Sequence, residues 1–149
     1  MQSKKIRVSW RVVLIQACIG LIISIITMIN PKLLVEDDFK VFIGLEWNTF
    51  VESNQQVANY LLLIFRELSV IGFLLYCFSI AIIIMAYRKG EKWAWYTLFA
   101  GSTVGYIFLI ILDSFIGNIQ FVIIFVILLL TAWVGLLIGM EDTFRKSLS

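Results

Sequence analysis

Residues 61–72 read LLLIFRELSVIG, with Arg66 and Glu67 side by side in a run that is otherwise strongly apolar from Val57 to Tyr87. Whether the two charges interrupt a membrane helix or mark its edge sets the topology of the chain. On either side of them charge disappears for long distances. Residues 12–31, 68–87, 93–112 and 114–140 contain no Asp, Glu, Lys or Arg, and each run reaches the roughly 20 residues that cross about 30 Å of hydrocarbon as a helix. Of the 149 residues 61% are hydrophobic and 15% charged, and the mean hydropathy is +0.97, far from the composition of a soluble domain. The runs are continuous and rich in Ile and Leu, which excludes the alternating segments of about 10 residues that build a membrane β-barrel.

The expected fold is therefore an all-α membrane protein, one four-helix transmembrane domain over residues 1–149. Its segments are a first span at 10–30, an outer amphipathic segment at 31–53, a second span from 54 or 66 to 87, a third at 93–113, a fourth at 118–140 and a tail at 141–149. The first span follows Lys4, Lys5, Arg7 and Arg11 as a signal peptide would. Its apolar core is long for one, however, and Thr27–Pro31 has no small-x-small cleavage pattern, so it is read as a retained helix.

Basic residues set the expected orientation. One side collects nine lysines and arginines, from Lys4 to Lys146, against Glu91, Glu141 and Asp142, for a net of +6. The other holds Lys32, Lys40 and Arg66 against seven acids, for a net of −4. The basic side is expected to be cytoplasmic, with both termini inside.

Counting from that side places the opening pair. Arg66 lies 22 positions from Arg88, and Asp113 lies 21 from Lys92, each about 32 Å along a helix axis. Both then sit at the outer edge of the hydrocarbon, where charge is inexpensive. Arg66, Glu67 and Asp113 form the candidate ligand or ion-pair cluster, with an Arg66–Asp113 bidentate staple between the second and third spans as its structural form. A second span running from 54 to 87 would be about 51 Å long. It must tilt, kink near Gly72, or project outward with residues 54–65 covered by the 32–52 segment. Ser53-Asn-Gln-Gln56 has the spacing of a capping box at its start.

Small residues recur at four-residue spacing. Gly101 and Gly105 lie on the third span, Gly135 and Gly139 on the fourth, and Gly20 and Ser24 on the first. Such rows allow close backbone approach and are expected to pack the bundle, with a homodimer face as the alternative. Gly90 suits a C-cap in the basic turn, and Trp93, Trp95 and Tyr96 after it read as an aromatic belt.

The chemistry-bearing inventory is thin. Histidine is absent, which removes His-based acid–base catalysis and His metal ligation. Cys18 and Cys77 form no CxxC and are read as apolar packing residues. Glu36-Asp37-Asp38 lacks EF-hand spacing and reads as a solvated acidic face. No cofactor or metal is implied, and the basic face needs only anionic lipid, not nucleic acid.

RELSVIGF together with AYRKGEKWAWY resembles a group of small uncharacterised bacterial four-helix membrane proteins. The likeness rests on Arg66, Glu67, Arg88, Gly90, Glu91, Trp93, Ala94, Trp95 and Tyr96, about a fifth of the chain. It implies a bacterial inner-membrane setting and the same topology, and carries no activity with it. The expected function is accessory, assembly or protective, exercised through helix association with a second copy or a larger membrane protein. A transporter or channel subunit with a cleft near Arg66, Glu67 and Asp113 is the alternative, and a lipid-modifying enzyme the third.

Overall fold

A computed structural model of the chain describes residues 3–145; residues 146–149 of the expected tail, including Lys146, lie outside them. Six α-helices follow one another: α1 (Lys4–Ile29), α2 (Lys32–Ile43), α3 (Trp47–Ser53), α4 (Gln55–Met85), α5 (Lys92–Ile116) and α6 (Ile119–Arg145), with a 3-10 turn at Tyr87–Lys89 between α4 and α5. The described residues form no strand, and four of the helices, α1, α4, α5 and α6, are long and apolar enough to cross a membrane.

Several boundaries move from their expected places. The first helix begins six residues early, because Ser3 caps it by accepting the Ile6 N–H at 3.2 Å. The fourth continues through Glu141 and Asp142 instead of stopping near 140. Those two side chains hold the start of α1: Ser3 donates to Asp142, and Lys5 pairs with Glu141. The capping box at Ser53 does not form. Residues 47–53 are themselves helical, so Ser53 turns its hydroxyl back to the Thr49 and Phe50 carbonyls. A single joint residue, Asn54, then leads into α4 without a side-chain cap.

The helix α4 is one unbroken element of 31 residues, with no break at Gly72. It accommodates its length by extending beyond the bundle, and α2 and α3 cover the extension. Val35, Trp47 and Ala58 are buried there, with Phe39, Phe50, Leu61, Leu62 and Phe65 around them. The Phe39 ring meets Trp47 edge-on at 5.3 Å and Phe50 at 4.6 Å. Aromatic pairs of this kind add about 0.5–1.5 kcal/mol beyond their buried area.

Packing runs in the order α4–α1–α6–α5, while α4 and α5, though consecutive spans joined by a short turn, scarcely touch. The small residues explain the order, since lipid and Leu are equally apolar and close fit decides which helices pair. The Tyr76 ring fills the space a Cβ on Gly20 would need, and Gly72 lies against Ser24, which brings α1 onto α4. Gly135 faces Val12 and Val13, and Gly139 faces Ser9 and the Tyr87 hydroxyl, which brings α6 onto α1. The row of Gly135 and Gly139 thus packs against α1.

At the end holding the termini, Ser9 bonds Tyr87 and donates to the Gly135 carbonyl. Trp95 donates its indole N–H to the Leu136 carbonyl at 3.0 Å. It is 6% exposed, a core residue and not part of an aromatic belt, whereas Trp93 and Tyr96 do face outward. Gly90, at φ +83°, closes the 3-10 turn in a backbone region that side-chain-bearing residues rarely adopt.

Candidate functional site

The three residues singled out by charge do not come together. Arg66 and Glu67 project from an exposed face of α4, and among the described residues neither forms a salt bridge or side-chain hydrogen bond. Asp113, on the last turn but one of α5, is 7% exposed. The expected Arg66–Asp113 staple is absent because α1 and α6 hold α4 and α5 apart. Equal height along two helices does not make two residues neighbours.

What reaches Asp113 instead is α2. Gly117, at φ +88°, ends α5 and donates its N–H to the Asp113 carbonyl at 2.9 Å; the Asn118 N–H donates to the same oxygen at 3.0 Å. This paired C-terminal arrangement satisfies backbone carbonyls that a helix end otherwise leaves unbonded. It also fixes Asn118, 5% exposed, between two elements. Its side-chain amide donates to Asp38 Oδ1 on α2 at 2.8 Å, and its own oxygen accepts the Phe121 N–H at 3.5 Å, a weak cap on α6.

Asn118 thus links the Asp38 side chain of α2 to the Asp113 backbone carbonyl of α5. Burial holds the Asp38 carboxyl above its ordinary value of 3.8, against the opposing pull of the Asn118 bond, with Asp37 adding to the rise. The acidic run read as a fully solvated face is thus only partly so: Asp38 turns inward. The lysines of α2 are committed to other acids, Lys40 to Glu46 at 2.7 Å and Lys32 to Glu36 at 3.8 Å. Beside the junction lies a hollow of about 300 Å³ bordered by Asp37, Lys40, Gly117, Asn118 and Gln120. No motif in the sequence joins Asp38 to Asn118, which lie 80 positions apart. The available signal was Gly117-Asn118 before an apolar run, a helix stop followed by a capping residue.

A second polar cluster lies at mid-bundle. Gln16 of α1 donates to the Tyr106 hydroxyl of α5 at 3.1 Å and to the Leu128 carbonyl of α6 at 2.8 Å, with Tyr76 of α4 beside Tyr106. One group from each spanning helix converges here. Interhelical hydrogen bonds in membranes average about 0.6 kcal/mol, so the cluster fixes register more than it adds stability. Among the described residues no group of three or more Cys, Asp or Glu gathers as a metal centre, and Cys18 and Cys77 are free thiols on separate helices.

The glycines divide into two kinds. Gly20, Gly135 and Gly139 are filled by neighbours, while Gly101 and Gly105 have nothing within 4 Å of a Cβ built on them. They lie on the exposed face of α5 with Val104 and Phe108, which are 69% and 60% exposed. The expectation that every small-residue row packs the bundle fails for this one.

No protein-family model, no curated protein and no solved structure matches the chain.

Proposed function

We propose that the protein works by association within the membrane, as an accessory, assembly or protective factor, using the α5 face that bears Gly101 and Gly105. The observation that carries this reading is the contrast among the glycines. Those on α1 and α6 are occupied by internal partners, and the α5 row alone keeps its close-approach surface open. Small residues at this spacing admit a second helix backbone, and here that helix comes from another chain, either a second copy or a larger membrane protein.

The setting is a bacterial inner membrane with both termini cytoplasmic and the α2–α3 cap outside. The basic residues near the termini and in the α4–α5 turn support this orientation. The likeness of RELSVIGF and AYRKGEKWAWY to small bacterial four-helix membrane proteins supports the setting. A transport cleft is less well supported, because Arg66 and Glu67 face outward from α4 while Asp113 is buried beneath α2.

A Cβ at Gly101 or Gly105 has no atom of the chain within 4 Å, so replacing both with Leu should block the approach of a second helix with little disturbance of the bundle. Cross-linking in native membranes, followed by mass measurement in mild detergent, should then lose a higher-mass species that the wild-type chain shows. A wild-type chain that runs only as a monomer, or a complex indifferent to both substitutions, would overturn the proposal.

A further inference from the structure

At the end of the bundle that holds the termini, α1 presents an edge on which Arg7, Trp10 and Arg11 are neighbours, since residues three and four apart share a helix face. The turn after α4 closes on the same edge. The Arg11 guanidinium carbon lies 5.6 Å from the Trp10 ring centre and that of Arg88 lies 5.5 Å from it, so two cations from separate elements converge on one indole. The acids of this end do not offset their mutual repulsion. Glu141 pairs with Lys5 and Asp142 accepts from Ser3. Among the described residues neither Glu91 nor any other acid forms a salt bridge with Arg7 or Arg11. The indole N–H of Trp10 is buried and donates to nothing, although a buried donor ordinarily finds an acceptor. An anion that accepts hydrogen bonds meets both demands, and position decides which anion. The charge-free run of α1 begins at residue 12, directly after the cluster, which places the arginines at headgroup level. Leu14, Cys18 and Leu21, all half-buried, continue the Trp10 edge of α1 toward mid-membrane and offer an apolar track to acyl chains.

We propose that Arg11, Arg88 and the Trp10 indole N–H bind the phosphodiester of an anionic phospholipid, one molecule per chain, at the junction of α1 with the α4–α5 turn. Guanidinium groups take phosphate oxygens in paired hydrogen bonds, and the indole holds both forks in place before the lipid arrives. A phosphate oxygen supplies the acceptor that Trp10 lacks. Because that N–H is covered in the lipid-free chain, an arginine side chain moves aside as the headgroup enters. The bound lipid then ties the start of α1 to the turn that leaves α4. The site requires this end of the bundle to meet a membrane surface and not a particular leaflet, so it stands apart from association through α5.

The test uses the full chain in a mild neutral detergent, with native mass spectrometry counting bound lipid. Dioleoylphosphatidylglycerol is titrated beside dioleoylphosphatidylcholine, whose phosphate carries a compensating choline. The expected result is one phosphatidylglycerol per chain, held about tenfold more tightly than phosphatidylcholine. Arg11→Gln, at an exposed position, should weaken that binding about five- to tenfold. Trp10→Phe, which keeps a ring and removes the N–H, should weaken it severalfold. Lys5→Gln removes the same charge from the edge held by Glu141 and should leave it unchanged. Added phosphatidylglycerol should raise the thermal midpoint of the wild type and of Lys5→Gln but not that of Arg11→Gln, whose own midpoint shows that it is folded. Equal affinity for the two lipids, or equal losses in Arg11→Gln and Lys5→Gln, overturns the proposal. So does displacement of the lipid by millimolar inorganic phosphate, since the site would then serve a soluble anion.

Discussion

Glycine substitutions separate residues that look alike in sequence. Gly139 and Gly101 both begin or end a GxxxG, yet a Cβ on Gly139 would stand 2.6 Å from Ser9 Oγ and from the Tyr87 hydroxyl, and one on Gly101 would meet nothing. Gly139→Ala should destabilise the bundle by about 1–3 kcal/mol, the usual cost of overpacking a close contact. Gly101→Ala should be neutral or up to about 1 kcal/mol stabilising through helix propensity. Reversible unfolding in mixed micelles gives both values, and equal effects at the two sites would refute the close contact between α6 and α1. At the same scale, Gln16 brings two hydrogen bonds and one buried oxygen without a partner. Its amide sets the position of α1 against α5 and α6 more than it strengthens the bundle.

At the scale of the element, α2 lies as a cover across one end of the bundle. One edge rests on the aromatic cluster of Phe39, Trp47 and Phe50, and the other on the Asp38–Asn118 bond. Burial keeps the Asp38 carboxyl above its ordinary 3.8, so the docked form holds its proton more tightly than the undocked chain does. Docking is then favoured most below pH 4 and weakens as pH rises through the raised value. Amide exchange in α2 should quicken as pH rises above the ordinary carboxylate range, after correction for the intrinsic pH dependence of exchange. Asp38→Asn should flatten that profile, and a flat wild-type profile would contradict the assignment. The cover also explains the length of α4: residues 55–65 need apolar shelter beyond the bundle, and α2 and α3 supply it.

For the molecule as a whole, paired cysteines test the packing order α4–α1–α6–α5. In a background lacking Cys18 and Cys77, Ser24→Cys with Gly72→Cys should cross-link readily. The Cβ positions are 3.9 Å apart, inside the 3.5–4.5 Å range of disulfides. Arg66→Cys with Asp113→Cys should not cross-link. Rapid oxidation of the second pair would restore the staple between α4 and α5 and place those two helices side by side.

The class of the molecule is legible in the chain alone: four charge-free runs of spanning length, separated by basic turns and one acidic, aromatic segment, leave an all-helical membrane protein as the solution. The distance of Arg66 and Asp113 along their own helices can also be counted from the chain, because rise per residue is a local property of a helix. Which helix faces which cannot be read this way. Rotation about each axis and the order of packing depend on side-chain fit between segments distant in the chain, such as Gly20 with Tyr76 or Gly139 with Ser9. In an apolar solvent no hydrophobic gradient marks the inner face, so periodicity carries little of that information. The assembled bundle therefore turned Arg66 and Glu67 outward, filled the glycines of α1 and α6, left those of α5 open, and joined Asp38 to Asn118.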